Sequence, residues 1–177
     1  MTKKLKKGFI HIYTGGGKGK TTAAVGAAIR ALAHRLKVGY VYFHKNPERY
    51  GEQRILKKLG IETFVFAKKH PHFHKNVTKN KIRQECLEAL DFINKIYQQN
   101  KYDILILDEI LISVRDGFLK EEELLEILCS KPKNLELILT GRGATKKITK
   151  KADLVSRIKK IKHPYDLGIE GRRGIEY

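Results

Sequence analysis

Apolar and polar positions along the chain form two repeating patterns. Short apolar runs predict six strands, at Phe9–Thr14, Val38–His44, Glu62–Phe66, Asp103–Asp108, Leu135–Thr140 and Val155–Lys162. Longer stretches, in which apolar residues recur at helical spacing, predict helices between these strands. The helices are expected at about Lys20–His34, before Gly60, at about Thr78–Gln99 and near Glu121–Leu128.

Strands that alternate with helices predict right-handed crossovers and a parallel sheet. The run Ile104–Leu107 is apolar throughout, which is typical of a strand covered on both faces. We therefore predict an α/β fold with a mostly parallel central sheet of about six strands and helices on both faces. A chain of 177 residues is expected to form one domain, spanning residues 1–177.

Ligands of such sheets bind at the carboxyl ends of the strands. Because the predicted strands are parallel, the less common polar segments that follow them are expected at that edge. These segments are Gly15–Thr22, His44–Lys45, Ala67–Val77, Asp108–Glu109 and Thr140–Arg142.

The segment "TGGGKGKTT", Thr14–Thr22, predicts a phosphate-binding loop between the first strand and its helix. Its four glycines can turn successive backbone N–H groups towards one point, and the helix N-terminus favours an anion. Lys20 would contact phosphate oxygens and Thr21 would place a hydroxyl near Mg²⁺, while Lys18 adds a second cation. The loop is one residue shorter than the G-x-x-x-x-G-K-[ST] pattern, because glycine stands at position 15 and threonine at position 14. A P-loop nucleotide-binding fold of the RecA-like type is therefore expected.

Two acids end the apolar strand "DILILDE". Asp108 and Glu109 resemble a Walker B pair, which holds Mg²⁺ directly or through water. Taken alone, an acid at a strand end can equally serve as a helix cap. Lys45 and Arg142 are two further cations expected at the same edge, where Arg142 would contact a phosphate or form a structural ion pair.

Lysine and arginine number 37 against 19 aspartates and glutamates, which gives a formal charge of +18. This balance favours anionic partners, although a solvated basic surface explains it equally well. No aromatic RNA-binding motif or helix-turn-helix pattern supports nucleic acid as the partner. No apolar run is long enough to span a membrane, and no signal-type segment follows the basic start, so we predict a cytoplasmic protein without membrane association. Cys86 and Cys129 are both expected to be buried small apolar residues.

Three blocks of the chain together resemble the P-loop type of ATP:corrinoid adenosyltransferase. They begin "YTGGGKGKTTAAVGAAIRALAH", "DILILDEI" and "LILTGRGATKK", and the last continues into "KKADLVSRIKKIKHPYDLGIE". The family loop has the same short form, and the resemblance covers about Gly8 to Tyr177. It implies transfer of the 5′-deoxyadenosyl group of ATP to a Co(I) corrinoid with release of triphosphate, in adenosylcobalamin biosynthesis or salvage.

The resemblance also implies roles for particular residues. Lys20, Thr21 and Glu109 would be the catalytic group, with Thr21 and Glu109 binding Mg²⁺ and Asp108 beside them without binding the metal. ATP would be held by Gly15, Gly16, Gly17, Lys18, Gly19, Lys20, Thr21 and Thr22. Arg142 would contact a phosphate or a corrin side chain, unless it only forms a structural ion pair. It further implies a homodimer and a reduced flavoprotein as the electron donor.

The chain departs from the family after the third strand. Relatives carry an aromatic G-[FY]-T-W motif there, whereas this chain reads "KKHPHFH" and contains no tryptophan. We hypothesise that Phe73, with His72 beside it, contacts the corrinoid. The alternatives are a solvated loop and a metal site formed by His70, His72 and His74.

Two other functions remain open at this stage. A P-loop ATPase or kinase with another acceptor would release ADP or AMP-containing products. A nucleotide-gated nucleic-acid-binding protein would show tight, salt-sensitive binding to DNA or RNA.

Overall fold

The computed structural model describes residues 5–46, 50–70 and 76–177. Its sheet is built from β1 (Ile10–Thr14), β2 (Val38–Phe43), β3 (Glu62–Phe66), β4 (Ile104–Asp108), β5 (Glu136–Thr140) and β6 (Leu154–Arg157). The strands lie in the order β3-β2-β4-β5-β1-β6, and every neighbouring pair is parallel. The predicted α/β fold with a parallel sheet of six strands is confirmed.

Helices connect the strands. They are α1 (Lys20–Ala33), α2 (Gly51–Lys58), α3 (Lys79–Gln99), α4 (Ile110–Arg115), α5 (Glu121–Cys129) and α6 (Lys146–Lys151), followed by a 3₁₀ turn at Pro164–Leu167. The sequence did not predict α4 or α6. Each has only six residues, which is too short for apolar spacing to be read as a helical period.

The last strand ends earlier than predicted, at Arg157 rather than Lys162. β6 is an edge strand that pairs only with β1, and Arg157 is aligned with Thr14, the last residue of β1. Beyond Arg157 the chain has no neighbouring strand to pair with, so the ladder stops there.

Two hydrophobic cores lie on opposite faces of the sheet. One contains Val41, Leu105 and Leu107 with α3 and α5 residues such as Ile93 and Leu124. The other contains Tyr40, Tyr42 and Ile106 with α1 and α2 residues such as Ala24 and Leu56. Alternate residues of the central strands thus face opposite sides, which confirms the prediction of helices on both faces.

One expectation about burial was wrong. Cys86 is buried within α3, but Cys129 is exposed. Cys129 is the last residue of α5, and that helix buries Leu124, Ile127 and Leu128. A position immediately after Leu128 is turned by about 100° around the helix axis, which takes it off the buried side.

No helix in the described part of the chain is long and apolar enough to cross a membrane.

Candidate functional site

The Gly-rich loop, residues 15–19, connects β1 to α1 and is shaped by contacts with the chain beyond β6. Gly15 has φ +107° and Gly19 has φ +115°, a region that side chains with a Cβ rarely adopt. A Cβ on Gly15 would also lie 2.4 Å from the carbonyl oxygen of Ile158. The Gly17 N–H donates to that same oxygen at 2.9 Å. The loop therefore needs glycine for its backbone conformation and for the close approach of Ile158.

The N-terminus of α1 opens directly from this loop at Lys20. Its first turn contains no acidic side chain, so the positive end of the helix dipole is free to attract an anion. The Lys20 ammonium donates to the Gly17 carbonyl oxygen at 2.8 Å. Burial lowers the pKa of Lys20, against the attraction of Glu109 and with a further contribution from the charge of Arg142. Lys20 is thus held over the loop by the loop's own backbone.

Lys18 is turned away from Lys20, towards the C-terminal segment. Its ammonium lies 2.8 Å from a carboxylate oxygen of Glu176 and 3.2 Å from the Ile175 carbonyl oxygen. Hydrogen bonds from Arg172 and Lys18 lower the pKa of Glu176. The structure therefore brings Lys20 and Thr21 into the centre of the site but leaves Lys18 paired at its margin. Thr22, the next residue of α1, is exposed.

Asp108, at the end of β4, is fully buried and accepts three side-chain hydrogen bonds. Its Oδ1 accepts from the hydroxyl of Thr140 at 2.7 Å and from that of Thr21 at 3.1 Å. Its Oδ2 accepts from the Lys45 ammonium at 2.6 Å. This one carboxylate therefore links the end of β5, the start of α1 and the segment that follows β2.

Lys45 follows β2 and is only 7% exposed. Besides Asp108, its ammonium contacts the Thr21 hydroxyl at 3.0 Å and lies 3.6 Å from Glu52. Burial disfavours the charged form, but the charge and hydrogen bond of Asp108, helped by Glu109 and Glu52, outweigh it and raise the pKa of Lys45. The sequence placed Lys45 at this edge but gave no sign that it is buried between two predicted site residues.

Glu109 begins α4 with a left-handed backbone, φ +65°. Its N–H donates to the Thr140 hydroxyl at 2.9 Å, which fixes the residue beside Asp108. The buried Oε2 of Glu109 has no hydrogen-bond partner among the described residues. Burial and the nearby charge of Asp108 raise the pKa of Glu109 despite the opposing charges of Lys45, Lys20 and Arg142.

Arg142 lies after β5, in an exposed turn at the same edge. The preceding Gly141 has φ +137°, and a Cβ there would lie 2.8 Å from the Cβ of Leu111. This close packing against α4 directs the turn towards the site. The charge of Arg142 is near enough to influence the pKa of both Lys20 and Glu109.

His70, in the stretch "KKHPHFH" after β3, packs against His44, the residue after β2. The rings of His44 and His70 are 5.2 Å apart, and both contact Phe118. His44 Nε2 lies 2.8 Å from the Ser113 hydroxyl, and His70 Nε2 lies 2.8 Å from a carboxylate oxygen of Asp116. His72, Phe73 and His74 lie outside the described residues. Among those that are described, no three His, Cys, Asp or Glu side chains form a metal-binding cluster.

A groove of about 750 Å³ lies where β3 ends and α3 begins. Phe66, Lys68, Lys69, Val77 and Lys81 are among the residues that line it. The groove is separate from the Gly-rich loop. It combines apolar walls with three lysines and with Glu85 and Glu88, on the side of the sheet where the corrinoid contact was predicted.

The chain matches the family described as ATP:corrinoid adenosyltransferase BtuR/CobO/CobP over residues 6–177. A corrinoid adenosyltransferase of Escherichia coli K12 is 35% identical over 172 residues, covering 97% of this chain and 87% of the relative. Corrinoid adenosyltransferase CobA of Salmonella typhimurium is 34% identical over 172 residues, with the same coverage of 97% and 87%.

A solved structure shows a similar fold at much lower sequence identity. The flagellar accessory protein FlaH of Methanocaldococcus jannaschii is 17% identical, with a TM-score of 0.58 over 86% of this chain and 72% of that protein. This likeness agrees with the α/β fold of the parallel sheet and its helices.

Proposed function

The chain belongs to the ATP:corrinoid adenosyltransferase family, and we propose that it transfers the 5′-deoxyadenosyl group of ATP to the Co(I) centre of a corrinoid. One observation carries this proposal: the family match at residues 6–177 covers nearly the whole chain, including the Gly-rich loop and Asp108–Glu109. ATP and the corrinoid are both substrates of the family reaction.

The triphosphate of ATP would bind at the loop and the start of α1. The Gly17 N–H already donates to Ile158, but the other backbone N–H groups of the loop and the helix dipole would supply fixed positive ends, which need no rearrangement as charge develops. The Lys20 ammonium would exchange the Gly17 carbonyl, 2.8 Å away, for a phosphate oxygen. Thr22 and Arg142 lie exposed beside this position, and Lys18 would have to leave Glu176 to contribute.

The residues present fit a Mg²⁺ ion. The metal prefers oxygen ligands, and Glu109 provides a buried carboxylate oxygen without a hydrogen-bond partner in the described chain. We propose Thr21 and Glu109 as its protein ligands. Asp108 accepts three hydrogen bonds already, so its role would be to orient Thr21. Bound there, Mg²⁺ would neutralise part of the triphosphate charge.

The chemistry itself needs no protein nucleophile. Co(I) attacks carbon 5′ of the ribose with its electron pair, a cobalt–carbon bond forms, and the bond from carbon 5′ to oxygen breaks. Triphosphate leaves with the electrons of that broken bond. The protein supplies position and charge neutralisation, because the corrinoid carries the reactive centre.

The corrinoid would lie on the side of the sheet near β3. The groove lined by Phe66, Lys68 and Lys69 supports this placement, since its apolar walls suit a corrin ring and its charged residues suit the polar side chains of that ring. We retain His72 and Phe73 as proposed contacts. A homodimer and a reduced flavoprotein donor are further expectations from the family resemblance.

An anaerobic assay tests the proposed reaction. Purified protein, Mg-ATP and chemically reduced cob(I)alamin are mixed, the loss of Co(I) absorption is followed, and the phosphate products are separated by ion-exchange chromatography. Adenosylcobalamin and triphosphate in equal amounts are expected. Lys20→Ala should reduce turnover by about 10²-fold or more, the usual loss when one charge-stabilising group is removed.

Lys95→Ala is the matched control, because Lys95 is exposed on α3 and lies far along the helix from the carboxyl edge. It should turn over at the parental rate. Formation of ADP and phosphate without adenosylcobalamin would overturn the proposal in favour of an ATPase. Tight, salt-sensitive polynucleotide binding without turnover would favour the nucleic-acid-binding alternative.

A further inference from the structure

Lys45 places an ammonium group between Thr21, a proposed Mg²⁺ ligand, and Asp108, the buried carboxylate that orients Thr21. Its Nζ lies 3.0 Å from the Thr21 hydroxyl oxygen and 2.6 Å from Asp108 Oδ2. The Lys45 side chain is 9% exposed and that of Asp108 is fully buried. The contact is therefore built into the interior and does not resemble a surface ion pair, which would be held loosely.

The Lys45 ammonium contacts the two side chains that correspond in type and place to the metal-binding residues of P-loop enzymes. In that class, Mg²⁺ is held by the loop Ser or Thr and by the Walker B acid. Thr21 corresponds to the first and Asp108 to the strand-end acid. The Thr21 hydroxyl donates its hydrogen to Asp108 and accepts from Lys45, so the oxygen that would bind a metal already receives a cationic donor.

Lys45 and a metal cannot use Thr21 together. A metal on the same oxygen would stand within a few ångströms of the ammonium, and two cations at that separation repel strongly where water is scarce. Metal binding to Thr21 therefore requires that Lys45 give up its present contact.

A second anionic partner for Lys45 is already within reach. Glu52, in the first turn of α2, lies 3.6 Å from the ammonium, and the ring of Tyr50 lies 5.1 Å from it. A change of side-chain torsions would move the charge towards these residues without rearranging the strand.

We propose that Lys45 is a positioning residue that occupies the metal position of the free protein and moves to Glu52 when Mg-ATP binds. In the free protein it holds Thr21 and Asp108 together and neutralises the buried carboxylate. A divalent ion without nucleotide would have to break the contacts of Lys45 with Thr21 and Asp108, and it would bring no negative charge to compensate. Mg-ATP brings the negative charge of the triphosphate with it, so the site can then accommodate both cations. This inference depends on the proposed binding of Mg²⁺ at Thr21.

The test measures Mn²⁺ binding to the full chain without nucleotide or corrinoid, from the electron paramagnetic resonance signal of free Mn²⁺. Lys45→Met removes the charge and keeps much of the length. It should tighten Mn²⁺ binding by about tenfold or more, the size of an ordinary coupling between two competing events. Lys101→Met removes a lysine that pairs with Glu62 on the surface and should leave Mn²⁺ binding unchanged.

A double-mutant cycle adds a signature that a purely structural role would not produce. Glu52→Gln removes the receiving carboxylate and should weaken Mn²⁺ binding in the parental chain but have no effect in the Lys45→Met chain. Thr21→Val should abolish the gain that Lys45→Met produces. Glu52→Gln leaves the buried Lys45–Asp108 pair intact, so it remains usable if Lys45→Met fails to fold.

Unchanged or weaker Mn²⁺ binding in folded Lys45→Met would overturn the inference, as would a Glu52→Gln effect that persists without Lys45. These outcomes are separate from the fate of the proposed function. A chain that makes ADP in place of adenosylcobalamin but shows the competition would overturn the proposed function alone.

Discussion

Thr140 joins the two acids of the site through one hydroxyl group. It donates to Asp108 at 2.7 Å, accepts from the Glu109 N–H at 2.9 Å, and is fully buried. Sequence reasoning located Thr140 in the "TGR" block but could not predict this double role, since it depends on β5 lying next to β4. The burial of Lys45 escaped prediction for the same reason. Which side chains meet across neighbouring strands depends on the order of the strands in the sheet, and that order was not predicted from the sequence.

Thr140→Val should destabilise the free protein. The substitution keeps the shape but leaves a buried Asp108 oxygen with one donor fewer and the Glu109 N–H without its acceptor. The free energy of unfolding is expected to fall by about 1–3 kcal/mol, measured by urea denaturation. Thr63→Val is the matched control, because the buried Thr63 hydroxyl has no partner among the described residues. A loss at Thr63 as large as that at Thr140 would contradict the explanation.

His44 should make stability depend on pH. Burial, reinforced by His70 and Arg115 and opposed by Asp116, lowers the pKa of His44 to about 4. The unfolded chain takes up this proton below about pH 6.5, whereas the folded chain does so only near pH 4. The free energy of unfolding should therefore decrease as the pH falls from about 6.5 to about 4, by up to about 1.4 kcal/mol per pH unit. Above about pH 6.5, His44 should have no effect on it.

Urea denaturation at successive pH values checks this expectation. His44→Gln removes the titrating ring and should make the acid loss shallower than in the parental chain. His34→Gln changes a histidine that is exposed after α1 and should leave the slope unaltered. An identical slope in all three proteins would exclude His44 as the cause.

At the scale of elements, the fold was largely predictable from sequence. β3 matches its predicted bounds, and α1, α3 and β4 differ by a residue, because each has a long enough apolar pattern and a clear end signal. The two six-residue helices, α4 and α6, were not predicted. Of these, α4 matters more, since it follows Glu109 directly and its packing against Gly141 fixes the turn that carries Arg142.

The Gly-rich loop depends on the chain segment after β6, and two adjacent glycines test this. Gly15→Ala should lower the stability of the free protein by about 1–3 kcal/mol, because alanine would adopt a left-handed backbone and meet Ile158. Gly16→Ala should leave that stability nearly unchanged, since a Cβ there meets nothing within 4 Å. Thermal unfolding without nucleotide measures both. Equal losses would show that the contact with Ile158 does not determine the loop conformation.

At the scale of the whole molecule, charge is the dominant feature. The formal charge of +18 is spread over a chain of 177 residues. Few of these cations take part in the site, where Lys20 and Lys45 face Asp108 and Glu109. The composition predicted an anionic partner, which agrees with ATP as a substrate of the family reaction. It could not distinguish a nucleotide from a nucleic acid, since both carry phosphate groups.

Self-repulsion of this charge should weaken the folded state at low ionic strength. Adding potassium chloride to the free protein is expected to raise the melting temperature as repulsion is screened. Differential scanning calorimetry over a salt series measures the effect. A melting temperature that falls with salt would show that ion pairs such as Arg83–Glu123 contribute more than the net repulsion.

The contact between Gly17 and Ile158 also has a consequence for the order of synthesis. The Gly-rich loop leaves the ribosome early, but the backbone carbonyl that fixes its shape is translated long after it, beyond all six strands. The nascent chain can form most of the sheet while its Gly-rich loop still lacks this support. The proposed ATP site is therefore completed late, and incomplete chains would have no finished loop with which to bind the nucleotide.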